Sequence, residues 1–150
     1  MLSFLSYINY YQKYISTSQT NWFILEKVTQ LNDQTLFALH NLFGSDLESA
    51  LHLLDTKQIV KYELKQAPPF YVSGQFKHHI TDQSCTCSSY QNRLKRQDRG
   101  MCKHLLAVKL VIQCGLECRT INNRVEYEAA LGVFMDRLVS NREVVEIEFE

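Results

Sequence analysis

The sequence predicts an α+β fold: N-terminal helices, a small antiparallel β-meander leading into a C-x-C…C-x-H cluster, and C-terminal helices. Three observations carry this. Apolar residues recur at helical spacing before residue 57 and again after residue 123, beside helix-capping residues. Between residues 58 and 81 the period shortens, and β-branched and aromatic residues alternate with Gly and Pro punctuation. Cys85-Thr86-Cys87 and Cys102-Lys103-His104 then bracket fourteen polar and basic residues, Ser88 to Met101, which have little reason to fold unless their ends are tied together. These changes divide the chain at 1–57, 58–115 and 116–150.

A chain of 150 residues is read as one domain, or a core with helical appendages. Its 16 basic and 16 acidic residues cancel, which excludes a protein that coats nucleic acid through bulk charge. No apolar run reaches the length of a membrane span. Met1 to Ile15 is interrupted by Ser, Asn, Gln and Lys and lacks a basic leader, so it does not read as a signal peptide. The expectation is an intracellular, reducing compartment in which thiols stay free for metal.

The opening segment, Leu2 to Ile15, places Leu5, Ile8, Tyr11 and Ile15 on one helical face. Its tyrosines suit a half-buried face, packed on its own domain or on a partner. From Trp22 to Leu31 the pattern is amphipathic again, with Phe23, Val28 and Leu31 offered to a core. Asp33 is positioned to cap a helix carrying Leu36, Leu39, Leu42 and Phe43, which Gly44 ends. Ser45 and Glu48 have capping-box spacing and open a helix with Leu47, Leu51 and Leu54. The short connection predicts an α-α hairpin. His40 and His52 lie on it without neighbouring ligands and read as surface side chains. Strands are predicted over Ile59 to Leu64, Phe70 to Val72 after a Pro68-Pro69 turn, and Phe76 to Thr81. His78 and His79 face opposite sides of the last strand, so at most one approaches the cluster.

Three thiols and an imidazole suit one structural zinc ion, which takes four such ligands in a tetrahedron. In an extended segment Cys85 and Cys87 point to the same side. Cys102 and His104 lie about 200° apart in a helix interior and cannot share a metal there. They can at a helix start, with Cys102 near the cap, His104 in the first turn, and Gly100 permitting the turn before them. The run from Leu105 to Ile112 is then a largely buried helix. The competing readings are weaker. C-x-C is a poor geometry for a mutual disulfide, the five cysteines are an odd number, and no third residue orients a catalytic Cys-His pair. A ligand set complete at Cys85, Cys87, Cys102 and His104 leaves no open position for catalysis, and no other catalytic constellation is visible.

Arg93, Lys95, Arg96, Arg99 and Lys103 form the one basic cluster, offset by Asp98. Phosphate contact is one reading. Compensation of a zinc site carrying net negative charge is the other. Tyr90 alone interleaves an aromatic, so stacking on single strands has weak support. Cys114 and Cys118 read as ordinary half-buried thiols. Asn122 or Asn123 caps a helix to about Leu138, with Val125, Ala129, Phe134 and Leu138 inward. Glu143 to Glu150 alternates like a strand without an obvious neighbour. Pairing with the meander edge, pairing with a partner, or an acidic tail all remain open.

C-x-C…C-x-H followed by Leu105-Leu106-Ala107 resembles the SWIM zinc finger, whose pattern ends C-x-H-x-x-A. The stretch from Leu39 to Ser45 and Ala50 to Asp55 is similar to the helix pair that precedes the finger in the small SWIM proteins of Shu complexes. The resemblance spans roughly residues 36 to 114. It implies zinc on Cys85, Cys87, Cys102 and His104, with Ala107 packing the helix that follows. It also implies a nuclear, non-catalytic subunit that pairs with a RecA-family recombinase paralogue. Such complexes assist recombinase assembly on single-stranded DNA during homologous recombination. No small-molecule substrate and no membrane partner are implied. The segment before Thr35 and the tail after Leu138 depart from the resemblance. The rival expectation is a finger that binds DNA directly through the basic loop 93–103.

Overall fold

The computed structural model describes residue 22 and residues 24–74, 78–95 and 101–149, with side chains as far as Asp136. The expected helix from Leu2 to Ile15 lies outside these residues, as do Phe23, Phe76, Arg96, Arg99 and Gly100. In chain order the regular elements are α1 (Asp33–Phe43), α2 (Ser45–Asp55), β1 (Ile59–Leu64), β2 (Ala67–Ser73) and β3 (His78–Ile80). They continue as α3 (Ser88–Lys95), α4 (Lys103–Cys114), β4 (Arg119–Ile121) and α5 (Arg124–Phe149). The predicted α+β order therefore holds. Among the described residues no helix is long and apolar enough to cross a membrane.

Among the described residues from Trp22 to Leu31, helix stops earlier than the amphipathic pattern predicts. Trp22, Ile24 and Leu25 are helical, and the chain then turns and runs irregularly to α1. Ile24, Leu25 and Val28 are buried, and Leu31 packs on the core from its edge. The cap of α1 is Asn32, one residue before the expected Asp33. Its side chain accepts from Thr35 N at 2.9 Å while Thr35 Oγ1 accepts from Asn32 N at 2.9 Å. Asp33 instead sits in the first turn, where its charge favours the helix N-terminus.

Gly44 both ends α1 and begins α2. Its φ of 59° and ψ of −134° lie in a region nearly restricted to glycine, although an added Cβ would meet nothing within 4 Å. Backbone conformation, not space, demands the glycine. This one-residue hinge corrects the expected capping box. Ser45 is already the first helical residue, and no side chain caps α2. Glu48 reaches across the hairpin instead, 3.3 Å from His40 Nε2.

The sheet has the order β3-β2-β1-β4. β1 and β2 are antiparallel with Ile59 opposite Ser73 and Tyr62 opposite Phe70, and β2 pairs antiparallel with β3. Pro68-Pro69 lies inside β2 rather than forming a turn, and Leu64 pairs with Ala67 around the tight connection. Both prolines are exposed, beside a register shift between Tyr62 and Leu64, where a missing N–H costs no ladder bond. β4, which no periodicity marked, runs parallel to β1 with Thr120 opposite Lys61.

Each sheet face meets its own helices. On one side Ile59, Tyr71 and Ile80 join Leu25, Leu39, Leu47, Leu53, Leu105, Leu106 and Leu110 in the main core, where α2 packs along α4. Lys109, 5% exposed in mid α4, holds its Nζ 4.8 Å from the Trp22 ring centroid, a cation–π contact that keeps the charge on an aromatic face. On the other side Tyr62, Phe70 and Val72 pack against Tyr127 and Ala130 of α5.

Two further corrections concern α5. Asn123 caps it, accepting from Val125 N at 2.8 Å. Val125 and Ala129 nevertheless face solvent, while Tyr127, Ala130 and Leu131 pack on the sheet. Tyr127 sets this rotation. Its ring meets Phe70 edge-on at 5.1 Å and its hydroxyl donates to Pro68 O at 2.8 Å, a larger contact than Val125 or Ala129 offers. The helix then continues through Phe149, so the strand expected over 143–150 does not form. A strand there needs a partner for its backbone groups, whereas a helix satisfies them internally.

Candidate metal centre

The Cys85–Cys87 knuckle is built on β3. Thr81 and Ser84 close a turn, with Thr81 N donating to Ser84 O at 2.9 Å and Ser84 N to Thr81 Oγ1 at 3.1 Å. Cys85 then bridges back to Ile80. Thr86 clamps His79 twice, its amide donating to His79 O at 3.1 Å and its hydroxyl accepting from His79 N at 2.9 Å.

Both ligand pairs end at helix starts. Cys87 precedes α3, and its sulfur accepts from Tyr90 N at 3.4 Å. Cys102 is the cap of α4, with extended dihedrals (φ −79°, ψ 167°) and its sulfur accepting from Leu105 N at 3.3 Å. A cysteine thus serves where Ser or Asp usually caps, and each helix N-terminus directs its positive end toward a thiolate. His104 follows in the first turn of α4, the geometry expected for this spacing.

The folded chain brings Cys85, Cys87, Cys102 and His104 together, with their ligand atoms all within 4.8 Å of one another. They are 1%, 4%, 2% and 8% exposed. His104 Nδ1 is buried without a hydrogen-bond partner among the described residues. Three sulfurs and a neighbouring imidazole nitrogen that lacks a partner in a dry site are what a soft tetrahedral cation satisfies. The donor set fits one zinc ion.

The thiols are strongly coupled. Hydrogen bonds from Cys102 and Cys85 hold Cys87 well below the usual thiol range. Hydrogen bonds to Cys102 and Cys87, with burial behind them, push Cys85 up. Cys102 is pulled down by its bond to Cys85, but its bond to Cys87 and burial push it up to about 11. These directions favour an ionised Cys87 beside protonated Cys85 and Cys102 in the metal-free cluster. Zinc needs all three deprotonated, so uptake releases protons and affinity falls as pH falls. We expect apparent affinity to drop steadily as pH falls below neutrality. Calorimetry in buffers of different ionisation enthalpy measures the proton count, and a count near zero contradicts this ionisation.

Residues 66–113 match the SWIM zinc finger. The matched stretch runs from the start of β2 almost to the end of α4 and contains both ligand pairs. No curated protein and no solved structure matches the chain.

Between the two ligand pairs the linking segment is less bare than its composition implies. Ser88–Lys95 forms α3, anchored by Tyr90. The Tyr90 hydroxyl donates to Gln83 O at 2.9 Å, and Gln91 Nε2 donates to Cys85 O at 3.0 Å. Sequence reasoning missed these supports because each is a side-chain bond across a turn, without periodicity. Three of the five basic positions lie among the described residues. Arg93 Nη2 lies 3.7 Å from Asp46 Oδ2, tying α3 to the start of α2. Lys95 and Lys103 are exposed, while Arg96 and Arg99 lie outside the described residues. His52 is exposed and far in sequence from the ligands, and Cys114 and Cys118 are half-buried thiols raised by burial.

Proposed function

We propose that the chain is a non-catalytic, zinc-stabilised subunit of a Shu-type complex. In this reading it pairs with a RecA-family recombinase paralogue in the nucleus and promotes recombinase filament assembly during homologous recombination. Closure of the metal site is the observation that carries the non-catalytic part. All four candidate ligands come from the chain, each is less than a tenth exposed, and a tetrahedral ion held by them would have no position left for a substrate. The Shu-type part rests on the resemblance of residues 36–114, in which the α1–α2 hairpin precedes the finger. The packing of α2 along α4 gives that order a physical use, because the metal that positions α4 also positions the hairpin. Phe37, Ile112 and Val125, 59%, 44% and 75% exposed, leave apolar area for a partner to cover.

The test is to recover the protein from its own cells, wild type beside Cys87→Ser, and identify what accompanies it. A RecA-type ATPase retained by the wild type and lost by the variant supports the proposal. Nucleic acid in its place, with no such ATPase, sinks it. That outcome belongs to the second reading, a finger that binds DNA directly, which the exposure of Lys95 and Lys103 favours. Direct binding requires affinity that falls steeply with salt, with the salt slope reduced by about one for each lysine changed to alanine.

A further inference from the structure

We propose that His78, which is not one of the four ligands, is a positioning residue for the zinc ligand His104. Its ring centroid lies 4.5 Å from that of His104, tilted by 48°. The four ligands reach the site from two separate pieces of chain. Cys85 and Cys87 belong to the knuckle paired with β3, whereas Cys102 and His104 belong to the start of α4. His78 is carried by β3 itself, and its neighbour His79 is clamped at both backbone atoms to Thr86, between the two knuckle cysteines. The His78 ring is therefore fixed relative to Cys85 and Cys87 while it packs on the ligand from the other half. It sets where the imidazole sits relative to the first two sulfurs.

A ligating histidine is ordinarily oriented by hydrogen bonding at its second nitrogen. Ring packing is a second means of orientation, and His78 supplies it here. The strand alternates correctly for this. His78 stands opposite Ser73 on the finger side of the sheet, while His79 turns to the other side and stacks on Phe134 of α5 at 5.1 Å.

Because His78 acts through a zinc ligand, its role stands only with the zinc assignment, and the experiment separates the two. Full-length wild type, His78→Ala and His78→Phe are loaded with zinc and, separately, with cobalt. Zinc affinity is read by chelator competition, and site geometry by the cobalt ligand-field spectrum. Wild type that takes up neither metal overturns the zinc assignment and this role together. With wild type loaded, we expect His78→Ala to bind zinc about tenfold more weakly, the lower end for an outer-shell loss. Its cobalt bands should shift, and His78→Phe, which restores a ring against His104, should recover both readouts. Unchanged affinity and spectrum in His78→Ala overturn the role. So does a His78→Phe variant as defective as His78→Ala, which would place the effect in the imidazole nitrogens and not in the ring contact.

Discussion

Cys87→Ser is expected to hold no stoichiometric zinc and to lose the folded finger. A serine hydroxyl stays protonated where the Cys87 thiol ionises most readily of the three, so the substitution removes the first thiolate of the site. The loss spreads because the ligands are also structural. Cys87 Sγ accepts from Tyr90 N at the start of α3, and α4 begins at Cys102. Residues of α4 make up much of the main core. Structural zinc contributes on the order of 10 kcal/mol in isolated fingers, comparable to the whole stability of a typical domain. Chelation of the wild type should therefore reproduce the variant. Inductively coupled plasma analysis gives the metal content, and amide exchange across residues 101–114 reports the helix. Full protection of those amides after zinc removal would refute the claim.

Leu106→Ala is expected to cost about 2–5 kcal/mol in the zinc-loaded protein, the range for a fully buried leucine. Leu106 is 0% exposed in mid-core, two residues beyond the ligand His104. For a chain of this size that lowers the melting midpoint by roughly ten degrees. Ile112→Ala on the same helix is the control. That side chain is 44% exposed, and its truncation should stay within about 1 kcal/mol. Denaturant melts at fixed zinc measure both. Equal losses would mean that zinc, and not packing, sets the stability of α4.

Several features depend only on local chemistry, and the sequence alone determined them. C-x-C in an extended segment and C-x-H at a helix start are short-range geometries, so the four residues are found together as their spacing implies. Glycine at 44 answers a local dihedral demand, and strand alternation separates His78 from His79. Tertiary structure decided what depends on partners distant in the chain. β4 is three residues long and exists because β1 offers it an edge 59 positions earlier, where Thr120 meets Lys61. The rotation of α5 was settled by Tyr127 finding Phe70 and Pro68, which no count of apolar positions weighs against Val125. Arg93 lies beside Asp46 because the hairpin and α3 converge there, a contact between distant segments that no local spacing marks. Local periodicity encodes which groups can meet, but competition among distant groups for one core face or one counter-charge is resolved only when the chain packs.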